Sequence, residues 1–250
     1  MYGINLLLKG NAHLFCKEID CGESIPKLGG SICLTGFSGD FGNVGALASF
    51  TCENNDIEEL IGCNNLSVLK IGNNKLSGQA PIMNSNTLRI YKINNNYYSG
   101  SLPTIPNNFL LLEVFAVQDQ QGALKFNGTI NQQTLPPSLK YYNVGNNRLI
   151  GELPNISNIT GLLYFIANNN FFWKPPTGLF PPLLTYYDIS SNDINNQIDI
   201  NTSLQFYRFV GNTGDACLLN GRSNAVPTSG VLNPDYRLLT GSGVTVCINI

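Results

Sequence analysis

The sequence predicts a repeat solenoid of the α/β class, with one parallel β-sheet on the concave face, a 3₁₀ or irregular convex side, and about eight to nine turns. Three observations carry that expectation. Leucine recurs at Leu47, Leu66, Leu88, Leu112, Leu139, Leu162, Leu184 and Leu204. Three residues after each stands an apolar anchor, Phe50, Leu69, Tyr91, Phe115, Tyr142, Phe165, Tyr187 or Tyr207. Five residues after each anchor comes Asn55, Asn74, Asn96, Gln120, Asn147, Asn170, Asn192 or Asn212, so the amide position is Asn in seven turns of eight.

The strand follows from the apolar residue two beyond each anchor: Cys52, Ile71, Ile93, Val117, Val144, Ala167, Ile189 and Phe209. Side chains alternate along a strand, so anchor and partner point the same way, into the core. One turn cannot bury its apolar edge alone, and the turns must stack. The Asn stands where the chain leaves the strand. Its side-chain amide can bond backbone groups that neither sheet nor helix reaches, so the column Asn55, Asn74, Asn96, Asn147, Asn170, Asn192 and Asn212 reads as structural.

After the Asn comes a second signature: Leu76-Ser-Gly-Gln-Ala-Pro81, Tyr98-Ser-Gly-Ser-Leu-Pro103 and Leu149-Ile-Gly-Glu-Leu-Pro154. With the Leu-x-x-Leu-x-Leu-x-x-Asn core, it resembles the plant-type extracellular leucine-rich-repeat family. The resemblance covers residues 30–217. It implies a second short strand after the Asn and a lean convex back. Phe37-Ser-Gly-Asp-Phe41 suggests an earlier, divergent turn starting near Gly30. At Lys174-Pro-Pro176 and Asn196-Gln-Ile-Asp199 the Gly-and-Pro form decays, and the second strand is not expected there. The Phe115-to-Tyr142 interval carries extra residues, so that turn should bulge.

The ends read as caps. Residues 1–29 form an N-terminal cap, 30–212 the repeats, and 213–250 a C-terminal cap or the start of a linker. The seven cysteines lie at positions 16, 21, 33, 52, 63, 217 and 247, none of them between Cys63 and Cys217, which favours oxidised ends and an oxidising compartment. Cys217 and Cys247 are the only two beyond the repeats and are expected to pair, which would stabilise by roughly 3–4 kcal/mol in the chain-entropy model. Among Cys16, Cys21, Cys33, Cys52 and Cys63 at least one further bridge is expected, Cys16 with Cys21 or Cys33 being favoured; Cys52 should be buried in either state.

Composition narrows the function. Charged residues are 12% of the chain and the net charge is −2, with no run of Lys or Arg, which argues against nucleic acid and anionic membrane surfaces. No stretch is long and apolar enough to span a bilayer, and no direct membrane insertion is expected of this segment. The N-terminus shows no basic region before its short apolar patch, so a fragment and a cytosolic chain both stay open on that evidence alone. No nucleophile motif, phosphate loop or metal-ligand spacing occurs, and His13 is the one histidine; neither an enzyme nor a cofactor or metal is expected. Five glycosylation sequons occur, at Asn65, Asn127, Asn155, Asn158 and Asn201, and none uses a ladder Asn.

The concave face points to a partner. Residues just before the anchors should face outward and read Ser49, Val68, Ile90, Val114, Tyr141, Tyr164, Tyr186 and Phe206. The last four would form an accessible aromatic strip, flanked by Asn143, Ile166, Asp188 and Arg208, and rings of this kind are enriched at interfaces. The expectation is an extracellular or cell-surface recognition module for a protein or peptide, part of a receptor-like or adhesion protein, as the resemblance implies. The alternatives are a secreted inhibitor similar to the polygalacturonase-inhibiting proteins and a structural wall protein with no defined ligand.

Overall fold

A computed structural model describes residues 31–33, 38–43, 49–51, 53–54, 56–61, 66–82, 85–106, 109–130, 135–176, 180–194, 198–199, 206–208, 211–212 and 218–219. In 31–33, 38–43, 50, 56–61, 198–199, 206–207 and 218–219 only the backbone course is described. The chain runs through β1 (Ser31–Cys33), β2 (Ser38–Asn43), β3 (Ser49–Thr51), β4 (Asp56–Ile61), β5 (Val68–Lys70), β6 (Ser77–Gly78), β7 (Ile90–Lys92), β8 (Tyr97–Tyr98), β9 (Gly100–Ser101) and β10 (Val114–Ala116). It continues through β11 (Phe126–Thr129), β12 (Tyr141–Asn143), β13 (Arg148–Glu152), β14 (Tyr164–Ile166), β15 (Phe171–Lys174), β16 (Tyr186–Asp188), β17 (Ile198–Asp199), β18 (Phe206–Arg208) and β19 (Leu218–Leu219). No helix occurs among the described residues.

Nine of these strands form one parallel sheet in the order β1-β3-β5-β7-β10-β12-β14-β16-β18. Each anchor faces the anchor of the next turn, from Phe50 opposite Leu69 to Tyr187 opposite Tyr207. Ile32 stands opposite Phe50, which makes residues 31–33 the strand of the expected earlier turn. Buried Leu66, Leu88, Leu112, Leu139, Leu162 and Leu184 line the core behind this sheet, with the anchors from Leu69 to Tyr187 and their partners from Ile71 to Ile189.

The anchors are mostly aromatic, and register turns them into a stack. Tyr91, Phe115, Tyr142, Phe165 and Tyr187 lie face to face in sequence, with centroids 5.6, 5.5, 5.4 and 5.5 Å apart. Strand spacing of about 4.8 Å with a modest ring offset produces that distance, and offset stacking is favourable. Burial pushes the Tyr142 and Tyr187 phenols well above their ordinary value. For a group whose neutral form is the protonated one, a raised folded value means that the folded chain holds its proton after the unfolded chain has released it. Stability is then expected to be unaffected below the unfolded value near 10 and to fall as pH rises beyond it. Tyrosinate absorbance and backbone circular dichroism should therefore change together for these two rings; ionisation of all tyrosines before any unfolding would count against their burial.

A second set of strands follows the Asn column. β9, β11, β13 and β15 form a four-stranded parallel sheet in the order β15-β13-β11-β9, and β2-β4, β6-β8 and β17-β19 pair separately. Gly78, Gly100, Gly128 and Gly151 hold positive φ of 80, 80, 79 and 99°, so the bend after the ladder needs glycine. One expectation is corrected here. The second strand does not lapse where the Gly-and-Pro form decays: β15 pairs with β13 up to Lys174, and β17 pairs with β19. Backbone groups, not the motif, drive the pairing, and Phe172 anchors β15 by full burial while a register shift at Gly151/Glu152 absorbs the irregularity. β19 extends the pairing to Leu218–Leu219.

Cys16, Cys21, Cys52, Cys63, Cys217 and Cys247 lie outside the described residues, as do Asn55, Asn65, Asn201 and residues 1–29; Cys33 is described by backbone alone. The expected bridges rest on those positions.

Candidate functional site

The Asn column is the frame on which the concave face is mounted. Asn96 donates through Nδ2 to the carbonyls of Ile71, Ile93 and Asn94 at 2.9, 3.1 and 3.2 Å, and its Oδ1 accepts from Leu76 N at 3.1 Å. Asn170 and Asn192 repeat this pattern, accepting from Leu149 N and Phe172 N at 3.0 Å each. Asn74 donates to Ile71 and Gly72, and Asn212 donates to Ile189 and accepts from Ile194 N. Gln120 does the same work with a longer arm, bonding Ile93, Val117 and Gln118 carbonyls and Tyr98 N. Asn96, Gln120, Asn170, Asn192 and Asn212 each accept from the residue two beyond the previous ladder position. Asn147 breaks the rule, because its Oδ1 is buried without a hydrogen-bond partner. The turn after Gln120 carries the extra residues, so Gly122, which should donate, stands exposed instead.

A second ladder escaped the reading of the sequence. Asn54, Asn73, Asn95, Asp119, Asn146, Asn169 and Ser191, each just before a ladder position, have positive φ between 52 and 61°. Asn and Asp tolerate this left-handed conformation better than other side chains. Their amides chain together: Asn73 donates to Asn54, Asn95 to Asn73, Asn146 to Asp119, and Asn169 to Asn146. Asp119 has no N–H to offer Asn95, and Gln121 from the longer turn supplies it at 2.6 Å. The paired Asn-Asn of five turns was the available signal.

On the concave face proper, Tyr141, Tyr164 and Tyr186 point outward in adjacent strands, with ring centroids 5.7 and 5.9 Å apart and planes tilted by 44 and 36°. Tyr164 is 41% exposed; Tyr141 and Tyr186 are half-buried. Phe206 stands next in register, opposite Tyr186, with its backbone alone described. Val68, Ile90 and Val114 continue the column on the other side, all half-buried. An apolar spine thus crosses six strands.

The flanking residues divide. Ile166 is half-buried and Arg208 partly exposed. Asn143 and Asp188 are 7% and 3% exposed and bond inward. Asn143 donates to the Tyr141 hydroxyl at 3.0 Å and accepts from Gly145 N at 3.0 Å. Asp188 accepts from Ser190 N and Oγ at 3.0 and 2.6 Å, with Arg208 Nη1 at 3.9 Å. Both side chains accept from the N–H two residues on, a local turn that holds the strand end. They position the rings and the arginine more than they present themselves.

Charges collect at the other half. Lys92 reaches Glu53 at 2.7 Å, and Lys70, half-buried, makes no ion pair among the described residues. At the strand N-termini Glu113 lies between Lys140 (2.8 Å) and Arg89 (3.2 Å). The Lys140 ammonium first, then Arg89, holds the Glu113 carboxyl below its ordinary range against a desolvation that raises it. Outside the concave face, Ile150, Phe171 and Trp173 occupy the exposed alternate positions of β13 and β15, close to half exposed each. The alternation in Phe171-Phe172-Trp173 already carried that signal.

Among solved structures, a TDR receptor superposes with a TM-score of 0.59 at 22% identity, over 75% of this chain and 35% of that one. The Arabidopsis receptor kinase HAESA, in complex with the peptide hormone IDA and the co-receptor SERK1, superposes with a TM-score of 0.54 at 22% identity, over 75% and 37%. The fold is the leucine-rich-repeat solenoid that these receptors share. This leucine-rich-repeat chain spans little more than a third of the length of those two receptor chains. A plant ice-binding protein matches at a TM-score of 0.51 and 18% identity, over 73% and 63%. The same solenoid thus serves unlike tasks, and function has to be read from the face. No family model and no curated protein matches this sequence.

Proposed function

We propose that this leucine-rich-repeat chain is an extracellular recognition module, a binding protein rather than an enzyme, that takes a protein or peptide on its concave face as part of a cell-surface receptor-like or adhesion protein. The observation that carries the reading is the outward stack of Tyr141, Tyr164 and Tyr186. Leaving such rings in water is unfavourable by roughly 1–2 kcal/mol each, so a partner that covers them gains directly. Asn143 fixes the Tyr141 hydroxyl in place, which lowers the ordering cost of binding. The receptor ectodomain solved with a peptide hormone lends the reading support from fold. Asn127, Asn155 and Asn158 are exposed and are proposed as glycan sites on the secreted protein; Asn65 and Asn201 lie outside the described residues. The bridge of Cys217 with Cys247 is kept as a proposal, and peptide mapping without reduction tests both features.

The test is a display selection of random ten-residue peptides on the intact chain. Binders are expected to lose about 30-fold or more in affinity for a Tyr164→Ala/Tyr186→Ala variant whose unfolding midpoint is retained. Equal affinity for the two proteins would overturn the reading.

A second reading rests on the outer asparagine ladder. Locked amides repeating at strand spacing are a regular polar lattice, the kind of surface that can order water. Inhibition of ice recrystallisation by the intact chain, lost in an Asn73→Leu/Asn95→Leu variant, would favour it over peptide recognition.

A further inference from the structure

The chain carries a net charge of −2, yet its concave face has the opposite sign. Along the apolar spine and the strand ends beside it, the described charged residues are Lys70, Arg89, Lys92, Lys140 and Arg208 against Glu53, Glu113 and Asp188, five cations and three anions. Glu53 answers Lys92 and Asp188 stands near Arg208. Glu113 is shared by two cations, and Lys70 pairs with no carboxylate among the described residues. The surplus is therefore local: it lies over β5 to β12, while the aromatic rings lie over β12 to β16.

We propose, on the reading of the concave face as the binding surface, that its ligand is an extended acidic peptide laid across the strands. Its carboxylates meet Lys70 and the Arg89–Glu113–Lys140 cluster, and an apolar or aromatic side chain packs on Tyr164. From β5 to β14 is four strand steps, about 19 Å, which roughly six extended residues span. Charge complementarity sets the direction of the chain, and the rings supply most of the hold. A uronic-acid polysaccharide would also be anionic, but it repeats one carboxylate per sugar along its whole length. Such a ligand calls for cations along the entire face. Here the rings replace them, and Asp188 lies at the ring end. The graded face fits a chain with unlike ends.

The same display selection decides this if Lys70→Glu and the milder Lys70→Gln are added, with a uronic-acid oligosaccharide as a competing probe. Selected peptides should be enriched in Asp or Glu about five to seven residues from a large apolar side chain. They should lose about tenfold in affinity for Lys70→Glu, with a smaller loss for Lys70→Gln, and should weaken as salt is raised. Ring-dependent binders with no acidic enrichment, and no response to either Lys70 variant, would overturn the polarity and leave the concave reading standing. Binders indifferent to Tyr164 and Tyr186 would overturn both. Displacement of the peptides by the oligosaccharide at lower concentration than by a free acidic peptide would assign the cations to polysaccharide and overturn the proposal.

Discussion

Replacing Phe165 by alanine is expected to lower the free energy of unfolding by about 4 kcal/mol. Phe165 is fully buried and lies between two stacked rings, 5.4 Å from Tyr142 and 5.5 Å from Tyr187. Its removal takes away the apolar area of a whole ring, opens a cavity, and breaks a column that runs through five turns. Backbone pairing on both sides keeps the neighbouring strands at their spacing, so the gap cannot close cheaply. Phe165→Leu keeps most of the volume and should cost only about 1–1.5 kcal/mol. Urea unfolding of the three proteins checks this, with Trp173 as the sole tryptophan reporter from the second sheet. A loss below about 2 kcal/mol for Phe165→Ala would mean that the stack is not a stabilising unit.

Asn170→Ala is expected to cost about 2–4 kcal/mol for a different reason. The substitution deletes little apolar contact, but it leaves the buried N–H of Leu149 without its acceptor and takes one of two donors from the carbonyls of Val144, Ala167 and Asn168, which keep Asn147 Nδ2, Asn192 Nδ2 and Asn146 N. A buried N–H without a partner carries the full desolvation penalty, and the lost second bonds add smaller amounts. Asn147→Ala provides an internal comparison. Asn147 donates to three carbonyls but its Oδ1 accepts nothing, so its loss should be smaller by about 1 kcal/mol. Equal losses at the two positions, measured in the same urea titration, would refute the bond-by-bond account of the ladder.

These two effects come from features of different legibility. The ladder was visible in sequence because its spacing is local. An Asn five residues from an anchor serves its own strand end wherever the turn sits, and the requirement recurs with each turn. The outward direction of Tyr141, Tyr164 and Tyr186 was visible for a similar reason, since alternation along a three-residue strand leaves no other choice once Tyr142, Phe165 and Tyr187 point inward.

The roles of Asn143 and Asp188 were not visible. Their position in the pattern marks them as outward, but their oxygens turn back to the N–H groups of Gly145 and Ser190, a choice made by side-chain torsions and by the crowding of neighbouring turns. Asn168 similarly sits against Gly145, leaving no room for a side chain there. The orphaned oxygen of Asn147 depends on where four extra residues leave the coil, and the substitution of Gln121 for the missing Asp119 amide depends on the same detour.

By itself, then, the sequence determined the period, the stacking of turns, the inward and outward columns and the amide frame, because each is set by residues within one turn and repeated until chance is excluded. Only the tertiary structure decided the aromatic column's continuity, the second strand at Phe171–Lys174, the outer amide ladder and the division of the concave face into a cationic and an aromatic half. Those features join residues about twenty or more positions apart, and their energies depend on distances between turns that the stacked backbone sets and no single turn encodes.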